Sequence, residues 1–293
     1  MEVMKNKQNT KKSRTQWNEA WRRLRKNKMA MTGLYILLII VLLAIFADFI
    51  ADYQNDAIQQ NLRNRLQSSS SDNIFGTDSF GRDIFARVLF GARVSLFIGF
   101  FVTVAAILIG GIFGSVAGYF GGRIDNIIMR VTDVFLAIPD ILMAIAVVAA
   151  LGQGLFNLII AMIISFIPPY TRLVRSLVLT IKDNEYVEAA RAIGARVDRI
   201  ILLHILPNAM GPLIVQATLT VGRIIIIAAG LSFLGLGVSP PDPEWGFMLS
   251  EGKEFMRHYP HLVLFPGLAI MLVVLSLNLL GDGLNDALDP RLK

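Results

Sequence analysis

The sequence predicts an all-α integral membrane protein that crosses the bilayer six times. Of its 293 residues, 54% are hydrophobic and only 17% are charged, and the mean hydropathy is +0.58. The apolar residues also gather in long stretches with few charges. Soluble domains are less apolar and more highly charged than this, so these observations argue against a single water-soluble fold.

Six windows are long and apolar enough to cross the hydrocarbon core of a bilayer, which takes about 20 residues of helix. The predicted spans are Met29–Ile50, Val94–Tyr119, Ile127–Ala150, Leu155–Thr171, Pro212–Gly235 and Leu262–Gly281. The short stretch Leu151–Gly154 predicts a tight hairpin between the third and fourth spans. The first window is too long for the apolar core of a signal peptide, and no small-residue cleavage pattern follows it, so it is interpreted as a spanning helix.

The basic residues predict the orientation, because loops rich in Lys and Arg stay in the cytoplasm. Of the 28 basic residues, 20 fall on the side of the N-terminus and seven on the other side. The protein is therefore predicted to lie in the cell membrane with both termini in the cytoplasm. The predicted organisation is a basic tail (1–28), a first transmembrane helix (29–50), an extracytoplasmic loop (51–93), a five-helix core (94–281) with a cytoplasmic hairpin (182–207), and a cytoplasmic tail (282–293).

The N-terminal tail combines positive charge with aromatic residues. Trp17–Leu24 is predicted to form an amphipathic helix on the cytoplasmic leaflet, with membrane lipid as its partner. Because the positive charge adjoins long apolar stretches, it favours lipid over nucleic acid.

Several classes of chemistry lack the residues that they need. The absence of cysteine excludes thiol nucleophiles, iron–sulfur clusters and cysteine-ligated zinc. His258 and His261 form an H-x-x-H pair, but Pro260 between them argues against a helix that would align both rings, so no metal site is predicted. Gly252–Lys253 lacks the flanking glycine and hydroxyl of a phosphate-binding loop, so no ATPase activity is expected. We find neither the Ser–His, paired-Asp or H-E-x-x-H residues of an intramembrane enzyme nor the inverted repeats of many secondary transporters.

The loop at 172–211 carries more pattern than a simple connection requires. Tyr186, Ala189, Ala190 and Ile193 recur at helical spacing after a capping Asp183 or Asn184, and Gly194 suits a helix C-terminus. A second short helix is predicted to end at Pro207. The exposed alanines would allow another backbone to approach closely, with Glu188 as a charged acceptor. This favours docking to a protein over lying on lipid.

This loop resembles the EAA loop of ABC-importer permeases. The residues that carry the resemblance are EAARAIG (Glu188–Gly194) and Leu206–Pro207. The variant HILPN (His204–Asn208) has histidine where the general pattern has isoleucine, and it resembles the dipeptide, oligopeptide and nickel branch.

Further motifs, in the expected order, are similar to the C-type permease of that branch. They are FGTDSFGRD (Phe75–Asp83), GARVSL (Gly91–Leu96), DVFLAIP (Asp133–Pro139), LSFLGLG (Leu231–Gly237), PPDPEWGFML (Pro240–Leu249) and LGDGLNDALDPR (Leu280–Arg291). One departure is Ala228, where relatives often carry an acidic residue. FGTDSFGRD is expected to form an ordered turn that meets the partner permease or the binding protein.

The resemblance implies a type I ABC-importer permease (MetI-like) fold and a set of partners. These are a homologous B-type permease subunit, two ABC ATPase subunits and an extracytoplasmic solute-binding protein. ATP and Mg would be bound by the ATPase subunits, so no cofactor, metal or catalytic residue is expected on this chain. The implied cargo is a peptide, with nickel, metal chelates or oligosaccharides as alternatives.

Two groups of candidate residues follow. The residues implied in coupling to the ATPases are Tyr186, Glu188, Ala189, Ala190, Arg191, Ile193, Gly194, Leu206 and Pro207. The candidate pathway residues are Asp133, Pro139 and Arg223. Asp133 is expected to pair with Arg130, three residues earlier, and Pro139 to kink the third span. Arg223 would either meet a peptide carboxylate or bond carbonyls of a neighbouring span, and the sequence does not decide between these.

Overall fold

A computed structural model describes residues 16–288, which form a helical bundle. The predicted tail residues 1–15 and residues 289–293, including Arg291 and Lys293 of the charge count, lie outside this range. The helices are α1 (Gln16–Leu24), α2 (Lys28–Ile45), α3 (Ala47–Ile50), α4 (Ile84–Phe120), α5 (Gly122–Leu136), α6 (Asp140–Leu151), α7 (Leu155–Ile181), α8 (Glu185–Ala192), α9 (Val197–Ile200), α10 (Leu206–Phe233), α11 (Trp245–Gly252) and α12 (His261–Leu288). We call the end that carries α8 the hairpin end, and the end that carries residues 51–83 and 236–260 the loop end.

The predicted spans correspond to five helices and one bent pair of helices. Five helices within residues 16–288 are long and apolar enough to cross a bilayer, namely α2, α4, α7, α12 and the run Val197–Phe233. The predicted third span, Ile127–Ala150, is instead two helices, α5 and α6, that meet at 87°. The count reaches six when this bent pair is taken as one span.

Pro139 causes the bend in the third span, as predicted. It ends the break between α5 and α6, with backbone angles of φ −54° and ψ 136°. Proline disfavours helical geometry in the residue before it and cannot donate a backbone hydrogen bond, so α5 cannot continue through it. The bend of 87° is sharper than the predicted kink, because three residues between α5 and α6 leave the helical path.

Two other spans are longer than predicted. Helix α4 begins at Ile84 rather than Val94, and α7 ends at Ile181 rather than Thr171. Both extensions contain arginines, which lower hydropathy without breaking a helix. Asp83 caps α4 by accepting hydrogen bonds from the backbone N–H groups of Phe85 and Ala86. The tight hairpin predicted at Leu151–Gly154 is confirmed, since α6 ends at Leu151 and α7 begins at Leu155.

Glycines allow α4 and α7 to pack closely. A Cβ atom added to Gly114 would lie 2.5 Å from the carbonyl oxygen of Thr171, and one added to Gly110 would lie 2.8 Å from that of Ile167. Small residues at such positions let two helix backbones approach each other in a membrane. Gly111 has open space beside it and so takes no part in this contact.

Pro207 does not end a helix, so this prediction was wrong. The chain from Val197 to Phe233 is one continuous helical run, in which residues Ile201–Ile205 form a π-helical turn and Pro207 lies in the first turn of α10. The π turn lets the backbone N–H of Leu206 reach the carbonyl of Ile201. Because a proline is tolerated in the first turn of a helix, the wider turn before it keeps the helix continuous.

The N-terminal helix is confirmed at Gln16–Leu24, and it packs against the bundle as well as exposing a face. Ala20 and Leu24 are buried in a cluster with Ala30 and Ala287. Trp21 is half exposed. The helix therefore anchors to α12 at the hairpin end.

Candidate coupling hairpin and translocation cavity

A Schellman motif ends helix α8 at the hairpin end. Gly194 has φ +79°, and its N–H donates to the carbonyl of Arg191 at 3.0 Å. The N–H of Ala195 donates to the carbonyl of Ala190 at 3.1 Å, which completes the motif. A Cβ atom at Gly194 would meet nothing within 4 Å, so glycine is required there by its backbone conformation and not by space.

One face of α8 packs on the bundle. Val187 and Ala190 are buried in a cluster with residues of α7 and of the run that follows α8, namely Val174, Val178, Ile181, Ile200, Ile205, Ala209 and Leu213. Ala190 was predicted to lie on the exposed face, and this was wrong, because its exposed fraction is 6%. The small side chain instead lets α8 lie close to its own bundle.

The opposite face of α8 is largely exposed in the described chain. Ile193 is 86% exposed and Tyr186 44% exposed, and Glu188, Ala189 and Arg191 are exposed beside them. The guanidinium of Arg191 lies 5.8 Å from the ring centroid of Tyr119 at the end of α4. An isoleucine this exposed on a firmly seated helix marks an interaction surface.

The two distal residues of the resemblance lie at the base of this hairpin. Leu206 is half-buried against the same apolar cluster, and Pro207 is exposed. They begin α10, the helix that also carries Arg223. The hairpin is thus continuous with the middle of the bundle.

A cavity of about 380 Å³, which we call the main cavity of the bundle, opens on one side between α5, α7 and α10. Its polar lining comes from Arg172, Ser176 and Tyr170 of α7 and from Gln216, Thr220 and Arg223 of α10. Leu136, Phe166, Pro169 and Leu173 complete the lining. A cavity with two cationic side chains inside an apolar bundle is a candidate for a solute pathway.

Both aspartates beside the bend pair with arginines of other helices. Asp133 Oδ1 accepts a hydrogen bond from Arg172 Nη2 at 2.6 Å, so the predicted pair with Arg130 was wrong. Arg223 Nη2 lies 2.6 Å from Asp140 Oδ2. Neither of the two alternatives considered for Arg223 included this carboxylate partner, since spacing along one helix gives no information on contacts between helices.

Pro139 lies next to the cavity and not in it. It lines a second, smaller cavity of about 150 Å³ together with Asp140. The two cavities share Leu136 and Pro169 in their lining. The pair of Arg223 with Asp140 therefore joins the two cavities across the bend.

A buried ion network at the loop end was missed in the sequence. Arg82 Nη2 donates to both oxygens of Glu251, at 2.8 and 3.0 Å, and Arg82 Nε donates to Asp78 at 2.6 Å. Arg87 Nη2 donates to Glu251 at 3.0 Å, and Arg87 and Arg82 are 0% and 2% exposed. No local sequence motif indicates the pairing of Glu251 with Arg82 and Arg87, because Glu251 lies far along the chain from both arginines.

The predicted turn of FGTDSFGRD is ordered by this network. Asp78 accepts hydrogen bonds from the backbone N–H groups of Phe80 and Arg82, at 2.8 and 3.0 Å. The motif is thus largely committed to contacts within its own chain. A meeting of this turn with another protein stays a prediction.

A second buried carboxylate caps helix α11. Glu244 accepts from the backbone N–H groups of Gly246 and Phe247, both at 2.8 Å. Burial raises the pKa of Glu244 above its usual value, and these hydrogen bonds oppose the shift. Gly246 lies against the backbone of Ala229, so α11 is held directly on α10. The loop end is therefore held in place by specific hydrogen bonds and close packing.

Metal-binding geometry does not occur in the described part of the chain. Among residues 16–288, no three His, Cys, Asp or Glu side chains are grouped to hold an ion. His261 begins α12 and packs beside Gly76.

Comparison with known proteins gives consistent matches over the chain. Residues 110–293 match the family described as "Binding-protein-dependent transport system inner membrane component". Residues 15–68 match the N-terminal transmembrane domain of oligopeptide transport permease C.

Relatives of similar length are also found. The chain is 50% identical over 277 residues to the dipeptide transport system permease protein DppC of Alkalihalophilus pseudofirmus, covering 94% of this chain and 90% of that protein. It is 50% identical over 282 residues to the glutathione transport system permease protein GsiD of Escherichia coli O6:K15:H31, covering 96% and 92%.

A solved structure shares the fold. The MetNI methionine ABC transporter, solved in inward-facing conformations, has a chain that superposes with a TM-score of 0.57 at 20% identity, over 70% of this chain and 98% of that one. The helical bundle and its apolar spans thus define a multi-pass membrane permease of the cell membrane. The chain belongs to the binding-protein-dependent inner-membrane transport components, as a permease subunit of an ABC importer similar to DppC and OppC.

Proposed function

We propose that this chain forms one half of the membrane pathway of an ATP-driven peptide importer. A homologous B-type permease forms the other half, two ABC ATPase subunits bind at the hairpin end, and a solute-binding protein delivers peptide at the loop end. The hairpin end is cytoplasmic in this proposal, in keeping with the basic residues on that side. ATP and Mg are held by the ATPase subunits.

The observation that carries the proposal is the two-faced helix α8. One face is buried through Val187 and Ala190, so the helix is packed against both α7 and α10. The other face offers Ile193 and Tyr186 to a partner. A docked ATPase that shifts α8 would therefore shift the helices that carry the cavity.

Peptide is the cargo that the relatives support. The two relatives at 50% identity are named as permeases for dipeptide and for glutathione, which is itself a tripeptide. The lining of the cavity with Arg172, Arg223 and neutral polar groups suits a solute that bears carboxylate and amide groups.

Uptake by the assembled transporter tests the proposal. The four membrane and ATPase subunits are reconstituted in vesicles with their binding protein and a labelled dipeptide. We expect ATP-dependent accumulation, which stops when the ATPase subunits are omitted. Accumulation by this chain alone, or a transporter that moves nickel or an oligosaccharide and no peptide, would contradict the proposal.

The variant Ile193→Glu, at the C-terminal end of α8, provides a second test. It places a charge on the exposed face without touching the buried face, so the permease should remain in the membrane at normal amounts while ATPase subunits no longer copurify with it. The matched control is Arg196→Glu, which introduces the same residue at an exposed position just beyond α8. Retained copurification in Ile193→Glu would remove α8 from the proposed interface.

A further inference from the structure

Two arginines give the main cavity a positive lining. Arg172 from α7 and Arg223 from α10 both line it, and no carboxylate is among its lining residues in the described chain. Neutral groups of Gln216, Ser176 and Thr220 stand beside the arginines. Guanidinium groups of this kind bind carboxylates with two parallel hydrogen bonds.

The acidic partners of these arginines lie outside that lining. Asp140 lies across the bend in the second cavity, and Asp133 lies on α5. The pair of Arg223 with Asp140 thus links a cavity lined by arginines to a cavity that holds a carboxylate. A molecule that bridges both spaces would meet opposite charges at its two ends.

Both ion pairs reach solvent, one through both partners and the other mainly through its arginine. The side chains of Arg172 and Asp133 are 55% and 58% exposed, whereas Arg223 is 61% exposed and its partner Asp140 only 25%. Pairs that reach water are weakly stabilising, so a competing carboxylate can replace one partner at little cost. The buried network of Arg82 and Arg87 at the loop end offers no such exchange, since its arginines are almost fully enclosed.

We infer that a solute carrying both a free carboxylate and a free ammonium group binds here by displacing the pair of Arg223 with Asp140. Its carboxylate binds Arg223 in the main cavity, which Arg172 also lines, and its ammonium group binds Asp140 in the adjoining one. The site therefore selects unblocked peptides in the membrane, after the binding protein has released them. This inference rests on the proposed function.

Transport of two matched peptides tests the inference. The complete transporter in vesicles is supplied with a free dipeptide or with the same dipeptide amidated at its C-terminus. In Arg223→Gln, uptake of the free peptide should fall by about tenfold relative to the unmodified transporter, and uptake of the amidated peptide by less than about twofold. For each peptide, uptake by the variant is compared with uptake by the unmodified transporter. The binding protein is the same in both, so its preference for one peptide does not affect the ratio. The control is Arg123→Gln, an exposed arginine of α5 outside the cavity, which should change neither uptake.

ATPase activity separates binding from a structural role. Stimulation of ATP hydrolysis by the peptide-loaded binding protein should persist in Arg223→Gln, since assembly is unaffected. An equal loss of uptake for both peptides, or loss of stimulation together with uptake, would show that the pair only holds the bundle together and would overturn the inference.

A charge exchange gives an independent check. Arg223→Asp combined with Asp140→Arg keeps an ion pair but reverses the charge that each cavity presents. We expect no recovery of free-peptide uptake in this double variant, whereas recovery to the unmodified level would overturn the inference. If the unmodified transporter accumulates no peptide at all, it is the proposed function that fails.

Discussion

Replacing Glu251 by glutamine removes a charge shared by two buried arginines. Glu251 accepts hydrogen bonds from Arg82 and Arg87, and the substitution leaves Asp78 as the one carboxylate near both guanidinium groups in the described chain. Breaking a buried ion pair by removing one partner costs about 3–5 kcal/mol. Glutamine still accepts one hydrogen bond through its amide oxygen, so we expect about 3 kcal/mol.

Thermal unfolding in detergent, followed by size-exclusion chromatography, measures this loss. At about 2–4 °C per kcal/mol, the midpoint of Glu251→Gln should fall by roughly 6–12 °C. The control is Glu254→Gln, which removes an exposed charge nearby and should shift the midpoint by less than about 2 °C. The reasoning is refuted if both variants unfold at the same temperature as the unmodified chain.

Three further predictions concern other parts of the chain. Gly194→Val forces a β-branched residue to φ +79° and should lower uptake more than Gly194→Asn, because asparagine tolerates this conformation at a cost below the usual 1–2 kcal/mol; equal uptake by both would contradict the backbone argument. Gly114→Val drives side-chain atoms into the carbonyl of Thr171 and should abolish folded permease on chromatography, while Gly111→Val, beside open space, should leave it unchanged. Burial, followed by the hydrogen bond to Asp242, raises the pKa of Tyr53 to about 12, so its contribution to stability is complete below pH 10 and lost between pH 10 and 12; Tyr53→Phe should lose less stability than the unmodified chain over that range in denaturant titrations.

The spans could be predicted from hydropathy and charge, because each crossing takes about 20 apolar residues and such long stretches are easily recognised in a sequence. The same signal failed at the bend. Pro139 predicted a kink, but neither the proline nor the change from the more polar α5 to the apolar α6 indicates an angle of 87°. The start of α4 was also missed, since Arg87 and Arg93 lower hydropathy while the structure pairs both with other groups.

Contacts between helices could not be predicted from the sequence. Periodicity placed Ala190 on a face with Tyr186 and Ile193, but the bundle decides which face is covered, and it covers Ala190. Asp133 had a plausible partner one turn away in Arg130, and the structure gives it Arg172 of another helix. Glu251 and the buried arginines meet only through the tertiary fold. Patterns within one element were thus predictable, whereas pairings across elements were not.

Crosslinking from α8 tests the central claim that this helix is where ATPase subunits act. The natural chain contains no cysteine, so Ile193→Cys carries one thiol-reactive photocrosslinker at a defined place. In the assembled transporter, illumination should join this position to an ATPase subunit. Ile74→Cys, exposed at the loop end, should join to the solute-binding protein or to no subunit at all. The account is contradicted if Ile193→Cys joins to the binding protein, or if the ATPase is captured from Ile74→Cys instead.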